Sequence, residues 1–343
     1  WWADNDYYKS PIKFHNSLMV FKDGQSSAMP PYTELLGSGE TPRYGYSSTR
    51  VSDYSGVDWE RGIIWLKPTQ SFVVLDRLTA READEYQFRL LWHGVGEAAL
   101  DAGGLALTQK GPGMRIQLAP GPELSLLNDT ELGANWRGYR HADPVVRSMT
   151  GIATVRLSEG ESYLFATVLH GAPDGPPPAW DLRFPAGTDG LLLSSPEGSL
   201  AIGLGPARIP VEGGLFVTDA QVLVADGGLS LLGATQATHE GDILHQSAEP
   251  ACVELDNADT NNAMDELTAR APTPNLKSGG DAPNLTPLWQ VAPQPKEILL
   301  TGNSGTVGAL ATKPKLAVDP EPAKENVFSA KGANRIAALL DGT

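Results

Sequence analysis

An all-β chain, assembled as one large antiparallel β-sandwich of the supersandwich kind, is the architecture this sequence predicts. Three observations predict it. Apolar residues alternate with polar ones in short runs, the pattern of a strand with one buried face. Gly, Pro, Asn and Asp punctuate those runs at roughly 8–12-residue intervals, as they do in sandwiches. Helical periodicity is scarce, with "NAMDELTARA" (262–271) its best instance. The chain has 343 residues, 41% hydrophobic and 20% charged, which suffices to bury a real core.

The elements follow in order. "KFHNSLMVFKDGQS" (13–26) sets a histidine beside an asparagine, then an alternating run through Leu18 and Val20, then a turn at Asp23-Gly24. "GIIWLK" (62–67) and "SFVVLDRL" (71–78) read as strands joined by a turn, because Pro68 pre-sets the turn dihedral and lacks a donor for a ladder. "YQFRLLWH" (86–93), "MRIQLAP" (114–120), "IATVRL" (152–157), "YLFATVLH" (163–170) and "AQVLVAD" (220–226) are further strands. "EYQFRLLWHG" (85–94) and "SYLFATVLHG" (162–171) echo one another, each with Tyr and Phe on one strand face and a closing His-Gly. Each also follows a run that begins Gly-Ile, which predicts two hairpin-like units, the halves of one layered structure.

After Leu255 the composition shifts to Asn, Asp, Pro and Gly. The expected organisation is a sandwich over 1–255, a linker with a short helix over 256–295, and over 296–343 the start of a further, propeller-like β module. The chain opens at Trp1 and stops at "LLDGT", so both ends are expected to lie inside a longer protein.

A net charge of −15 sets the chain against nucleic acid and anionic membrane, which require clustered Lys and Arg. It also argues against a polyanion gripped by this segment alone. No run of about 18 apolar residues predicts a membrane span, and no signal peptide is visible. The single cysteine, Cys252, rules out an internal disulfide framework.

Six histidines carry the remaining chemistry, and none has the local spacing of a metal site. His93 and His170 read as polar residues leaving the sheet at its rim, and His239 and His245 as an exposed turn. His141 lies in "WRGYRHADP", whose aromatic and cationic groups suit a sugar ring, which makes it a substrate-facing candidate. "GLGPARIPVEGG" leads into a strand rather than a helix, so it lacks phosphate-cradling geometry. Carboxylate pairs such as Asp58 with Glu60 and Asp84 with Glu85 read as solvated faces on so acidic a chain.

Two stretches nevertheless point further. "HNSLMVFKDGQ" (15–25), followed by "VDWERGIIWLKPTQSFVVLDRLTAREADEYQFRLLWHG" (57–94), resembles the C-terminal β-sandwich of heparinase II/III-like polysaccharide lyases. The His-Asn strand, the arginine-led strand, the "VVLDRL" strand and the Y-x-F-x-x-x-x-H strand agree in order and spacing. The resemblance covers about 1–120 well and fades by about 250. It implies a helical toroid before the sandwich, a substrate groove between the two, and β-elimination on acidic polysaccharides. A base would remove the proton α to a uronate carboxylate and an acid would protonate the leaving oxygen. The family's catalytic tyrosine and histidine lie upstream, so none is expected in this chain, which should be inactive alone. His15 maps to one ligand of a metal, often zinc, whose other ligands also lie upstream. No cofactor is therefore expected on this segment, since one imidazole does not hold zinc. Asn16 is the second substrate-facing candidate, or else it pins the neighbouring turn.

The resulting expectation is the sandwich part of a bacterial lyase acting on a uronate glycan, which meets that acidic polysaccharide through the toroid. Export to the periplasm or outside follows from the size of such a substrate. The rival is a carbohydrate-binding or structural module without lyase chemistry. A hydrolase would instead need two carboxylates facing one cleft. Without the lyase ancestry, His15 simply caps its strand.

Overall fold

The computed structural model describes residues 12–101, 104–129, 146–184, 190–196, 198–211, 214–226, 228–255, 299–302 and 305–309. A 3₁₀ turn (Ile12–Phe14) precedes β1 (Leu18–Lys22), β2 (Glu34–Glu40), β3 (Tyr44–Tyr54), β4 (Val57–Leu66), β5 (Ser71–Ala80) and β6 (Asp84–Val95). Then come β7 (Glu97–Asp101), β8 (Gly104–Thr108), β9 (Gly113–Leu118), β10 (Glu123–Asp129), β11 (Val146–Leu157) and β12 (Ser162–Ala172). The next group is β13 (Asp181–Arg183), β14 (Gly190–Ser195), β15 (Gly198–Leu204), β16 (Ala207–Val211), β17 (Gly214–Thr218) and β18 (Val222–Ala225). Last are β19 (Leu229–His239), β20 (Asp242–Leu255), β21 (Leu299–Gly302) and β22 (Gly305–Ala309). Apart from that one 3₁₀ turn, the described residues are all-β, as the alternation predicts.

The chain divides into two units. The described residues from Ile12 to Leu255 belong to the first, and the β21–β22 hairpin belongs to the second. The helix expected at 262–271 and the linker around it lie outside the described residues.

Three antiparallel sheets make up the first unit. A four-stranded sheet runs β1-β6-β11-β10, and an eight-stranded one runs β2-β3-β4-β5-β12-β9-β8-β7. The third runs β13-β14-β15-β18-β19-β17-β16, with β20 paired to β19. The eight-stranded sheet is the central layer, because opposite faces of its strands feed two different cores. Val57 and Trp59 of β4 join Leu18, Val20, Phe88 and Leu90 of the four-stranded sheet. Ile64 and Leu66, of the other parity, join Leu191, Leu193, Ile202 and Val224 of the third sheet. A sheet covered on both sides carries apolar residues at both parities, which is what "GIIWLK" and "SFVVLDRL" show. Gly62 marks the closeness of that second contact, since a Cβ there would lie 2.7 Å from Leu204 Cδ2.

The strands expected at 62–67, 71–78, 86–93, 114–120, 152–157, 163–170 and 220–226 all fall on observed strands, and 67–70 forms the expected turn. The two echoing stretches are β6 and β12, and they do not close hairpins. Each instead changes layer: β5 lies in the central sheet and β6 in the four-stranded one, while β11 and β12 do the reverse. The pairs formed are β6 with β11 and β5 with β12. This brings the echo residues face to face across the first core. Tyr86 and Phe88 stack at 5.8 Å, Phe88 meets Tyr163 at 5.7 Å, and Tyr163 meets Phe165 edge-on at 5.0 Å. The repeated Tyr and Phe are thus one aromatic ladder contributed by two sheets.

Candidate functional site

The site builds up from the turn that leads into β1. Ile12 is buried in the first core, and the His15 N–H closes a turn onto the Ile12 carbonyl at 2.9 Å. Ser17 then begins the pairing with β6, its carbonyl accepting from the Leu91 N–H at 2.8 Å. The next β6 N–H on that edge belongs to His93, and it donates to Asn16 Oδ1 at 2.6 Å. The asparagine side chain thus stands in for a backbone carbonyl and extends the ladder by one rung. Because that N–H can only donate, the amide is oriented: its oxygen faces His93 and its nitrogen faces away. The Asn16 backbone carbonyl is also used, accepting from Arg61 Nη1 at 3.1 Å.

Arg61 connects this turn to the central sheet. Its Nε donates to Asp76 Oδ1 at 2.6 Å and its Nη2 to Oδ2 at 3.1 Å. Trp59 Nε1 donates to the same Oδ1 at 2.7 Å. Asp76 is fully buried, and three donors meet its carboxylate, as a buried charge requires. The guanidinium sits 4.9 Å from the Trp59 ring and 5.9 Å from that of Trp92. Stacking and a two-point bond to the carboxylate hold it in one orientation.

His93 is not at an exposed rim. It is 1% exposed, and its Nδ1 lies 2.6 Å from Ser148 Oγ, on the residue directly opposite in β11. Burial holds its pKa down at about 4, and the neighbouring His15 adds to that; hydrogen bonding with the main chain of Lys13 and His15 pulls the other way. His93 is therefore a neutral imidazole at pH 7. His170 is buried as well, with its ring 4.3 Å from that of Trp180. The rim reading fails for both because the rings are covered by neighbours distant in sequence, Ser148 beside His93 and Trp180 against His170. His239 and His245 are half-buried in the β19–β20 hairpin rather than exposed. Glu60 also departs from expectation: it is buried and pairs with Arg77 Nη2 at 2.7 Å, so it is no solvated face.

Of the residues picked from sequence, His15 and Asn16 are half-buried and sit together on this cluster, while His141 lies outside the described residues. Sequence reading does not mark Arg61, Asp76, Trp59 or His93 as site residues, although their stretches carry the resemblance. A readable signal existed. Arg61 lies seven residues before Pro68 and Asp76 seven after Thr69, so a hairpin centred there must set them opposite one another. Among the described residues, no three His, Cys, Asp or Glu side chains gather in a way that could hold a metal ion.

No protein-family model matches the sequence, and neither does any curated protein. Solved structures that resemble it include heparan sulfate lyase HepC from Pedobacter heparinus, at 14% identity and a TM-score of 0.42, covering 57% of this chain and 30% of that one. A heparinase III gene product aligns at 11% identity and a TM-score of 0.42, covering 71% of this chain and 30% of that one. A further heparinase III structure aligns at 12% identity and a TM-score of 0.41, again covering 71% and 30%. The chain thus spans about 30% of the length of these neighbours. No helix among the described residues is long and apolar enough to cross a membrane.

Proposed function

We propose that this chain is the β-sandwich portion of a polysaccharide lyase-like enzyme that cleaves uronate-containing glycans by β-elimination, with the His15–Asn16 turn on the side that meets substrate. One observation supports the reading. The four strands that carry the family resemblance, one at 15–25 and three within 57–94, each send a residue into a single cluster: Asn16, Arg61, Asp76 and His93. In this reading the proton-transfer groups come from the preceding part of the parent protein, and the sandwich alone is inactive. Its own contribution is positional. Arg61 fixes the Asn16 main chain, the His93 N–H fixes the Asn16 amide, and the amide nitrogen becomes a donor suited to a carboxylate or a sugar hydroxyl. His15 acts as a metal ligand only with donors from elsewhere in the parent.

The test uses the full-length parent protein and a panel of uronic-acid polysaccharides, followed by ultraviolet absorbance of the unsaturated uronate that elimination creates. The reading predicts a rising signal on at least one glycan, lost in His15→Ala and strongly reduced in Asn16→Ala. Absence of the chromophore on every substrate, with glycan binding intact by calorimetry, would replace the lyase with a carbohydrate-binding module.

A further inference from the structure

We propose that the open face of the central sheet beside the Asn16–Arg61 cluster is a sugar-stacking subsite with Trp65 and Phe72 as its platform. The proposal rests on the glycan reading above and assigns it a second contact surface. Along β4, residues 57, 59, 61, 63 and 65 share a face, as do 72, 74, 76 and 78 along β5. At one end of this strip Val57, Trp59 and Leu78 are buried in the first core. At the other end the cover stops: Ile63 and Phe72 are each 41% exposed, and Trp65 is half-buried. Trp65 and Phe72 are directly opposite, their ring planes within 17° and their centroids 6.2 Å apart. The β3 partner of Trp65 is Gly45, and a Cβ at that position would make ordinary contact with the indole at 3.6 Å.

The surroundings select the occupant. Ser47 and Thr49 of β3 flank Ile63 and Arg61 on the same face. Lys67 Nζ stands 5.4 Å from the Trp65 ring, held at 2.8 Å by Glu40 Oε2 and at 2.7 Å by the Thr41 carbonyl. Aromatic rings interleaved with hydroxyls match a pyranose, which presents an apolar C–H face and a rim of hydroxyls. A protein partner would seek a continuous apolar centre. The two cations of the strip are each paired with a carboxylate, Arg61 with Asp76 and Lys67 with Glu40. Binding here should therefore come from stacking and respond weakly to salt. The strip is continuous with the candidate site, since Trp65 is four residues, about 13 Å, along β4 from Arg61. A short oligosaccharide spans that distance.

Calorimetric titration of the full chain with hexasaccharides prepared from alginate and from heparan sulfate tests this, with circular dichroism to establish folding. Binding that weakens roughly tenfold or more in Trp65→Ala and in Phe72→Ala, but survives in Trp65→Phe and changes little with salt, would support the subsite. Wild-type affinity in both alanine variants, with loss in Asn16→Ala, would overturn the subsite and leave the glycan reading standing. No binding by the wild-type chain to either hexasaccharide would overturn the subsite, while the lyase reading stands or falls on the chromophore assay with the full-length parent. A dimer in sedimentation that Trp65→Ala dissociates would make this face an interface between copies and overturn the subsite. If Trp65→Ala does not fold, Phe72→Ala and Ile63→Thr carry the same comparison.

Discussion

Asp76 is the residue on which the cluster depends. It is wholly buried, and its partners come from Arg61 and Trp59. Truncating one member of a buried pair leaves the other charge uncompensated, so Asp76→Ala should cost about 3–5 kcal/mol in urea denaturation. The double variant Arg61→Met with Asp76→Leu should recover most of that, because no stranded charge remains. Asn16→Ala leaves the His93 N–H without its acceptor and should cost about 1–3 kcal/mol by the same measurement. The Arg61–Asp76 pairing was legible from the mirror placement of opposite charges about the turn. The His93 environment was not, because its ring partner Ser148 is 55 residues away and no local pattern announces a cross-strand neighbour.

At the scale of elements, the first core is pinned by β6 and β12, whose repeated Tyr and Phe meet across it. Phe88 is fully buried within that ladder, and Phe88→Ala should cost about 3–5 kcal/mol. Tyr163 supplies a pH test. Burial pushes its pKa up to about 12, above the ordinary tyrosine value of about 10. The unfolded chain therefore ionises this phenol first, and stability present below pH 10 should fall as pH rises toward 12. Tyr163→Phe keeps the ring contacts and should flatten that decline in denaturation curves taken across the range. Alternation and the Tyr/Phe echo made both strands readable. Their layer change was not, because alternation specifies which residues share a face and says nothing of which sheet the strand joins. Gly113 shows a second blind spot: a Cβ there would lie 1.9 Å from the Gly175 carbonyl carbon, a contact between distant segments that only the folded chain reveals.

For the whole molecule, the two-faced central sheet explains why so many runs are apolar at both parities, and why one stretch with the same pattern ends exposed. "GIIWLK" looks uniformly like core, yet Ile63 and Trp65 stand where the four-stranded sheet no longer covers β4. Sequence reading recovers the class and the turn at 67–70 but not this boundary, because coverage belongs to the neighbouring layer and not to the strand itself. The same boundary sets the Asn16–Arg61 cluster beside an accessible face, which is what a glycan-facing site requires. A crystal structure of the full-length parent with a bound uronate oligosaccharide tests this placement most directly. The account predicts a sugar within hydrogen-bond reach of the Asn16 amide nitrogen, on the side of the sheet that carries Arg61. An oligosaccharide seated on another layer, with the His15–Ser17 turn facing bulk solvent, would contradict it.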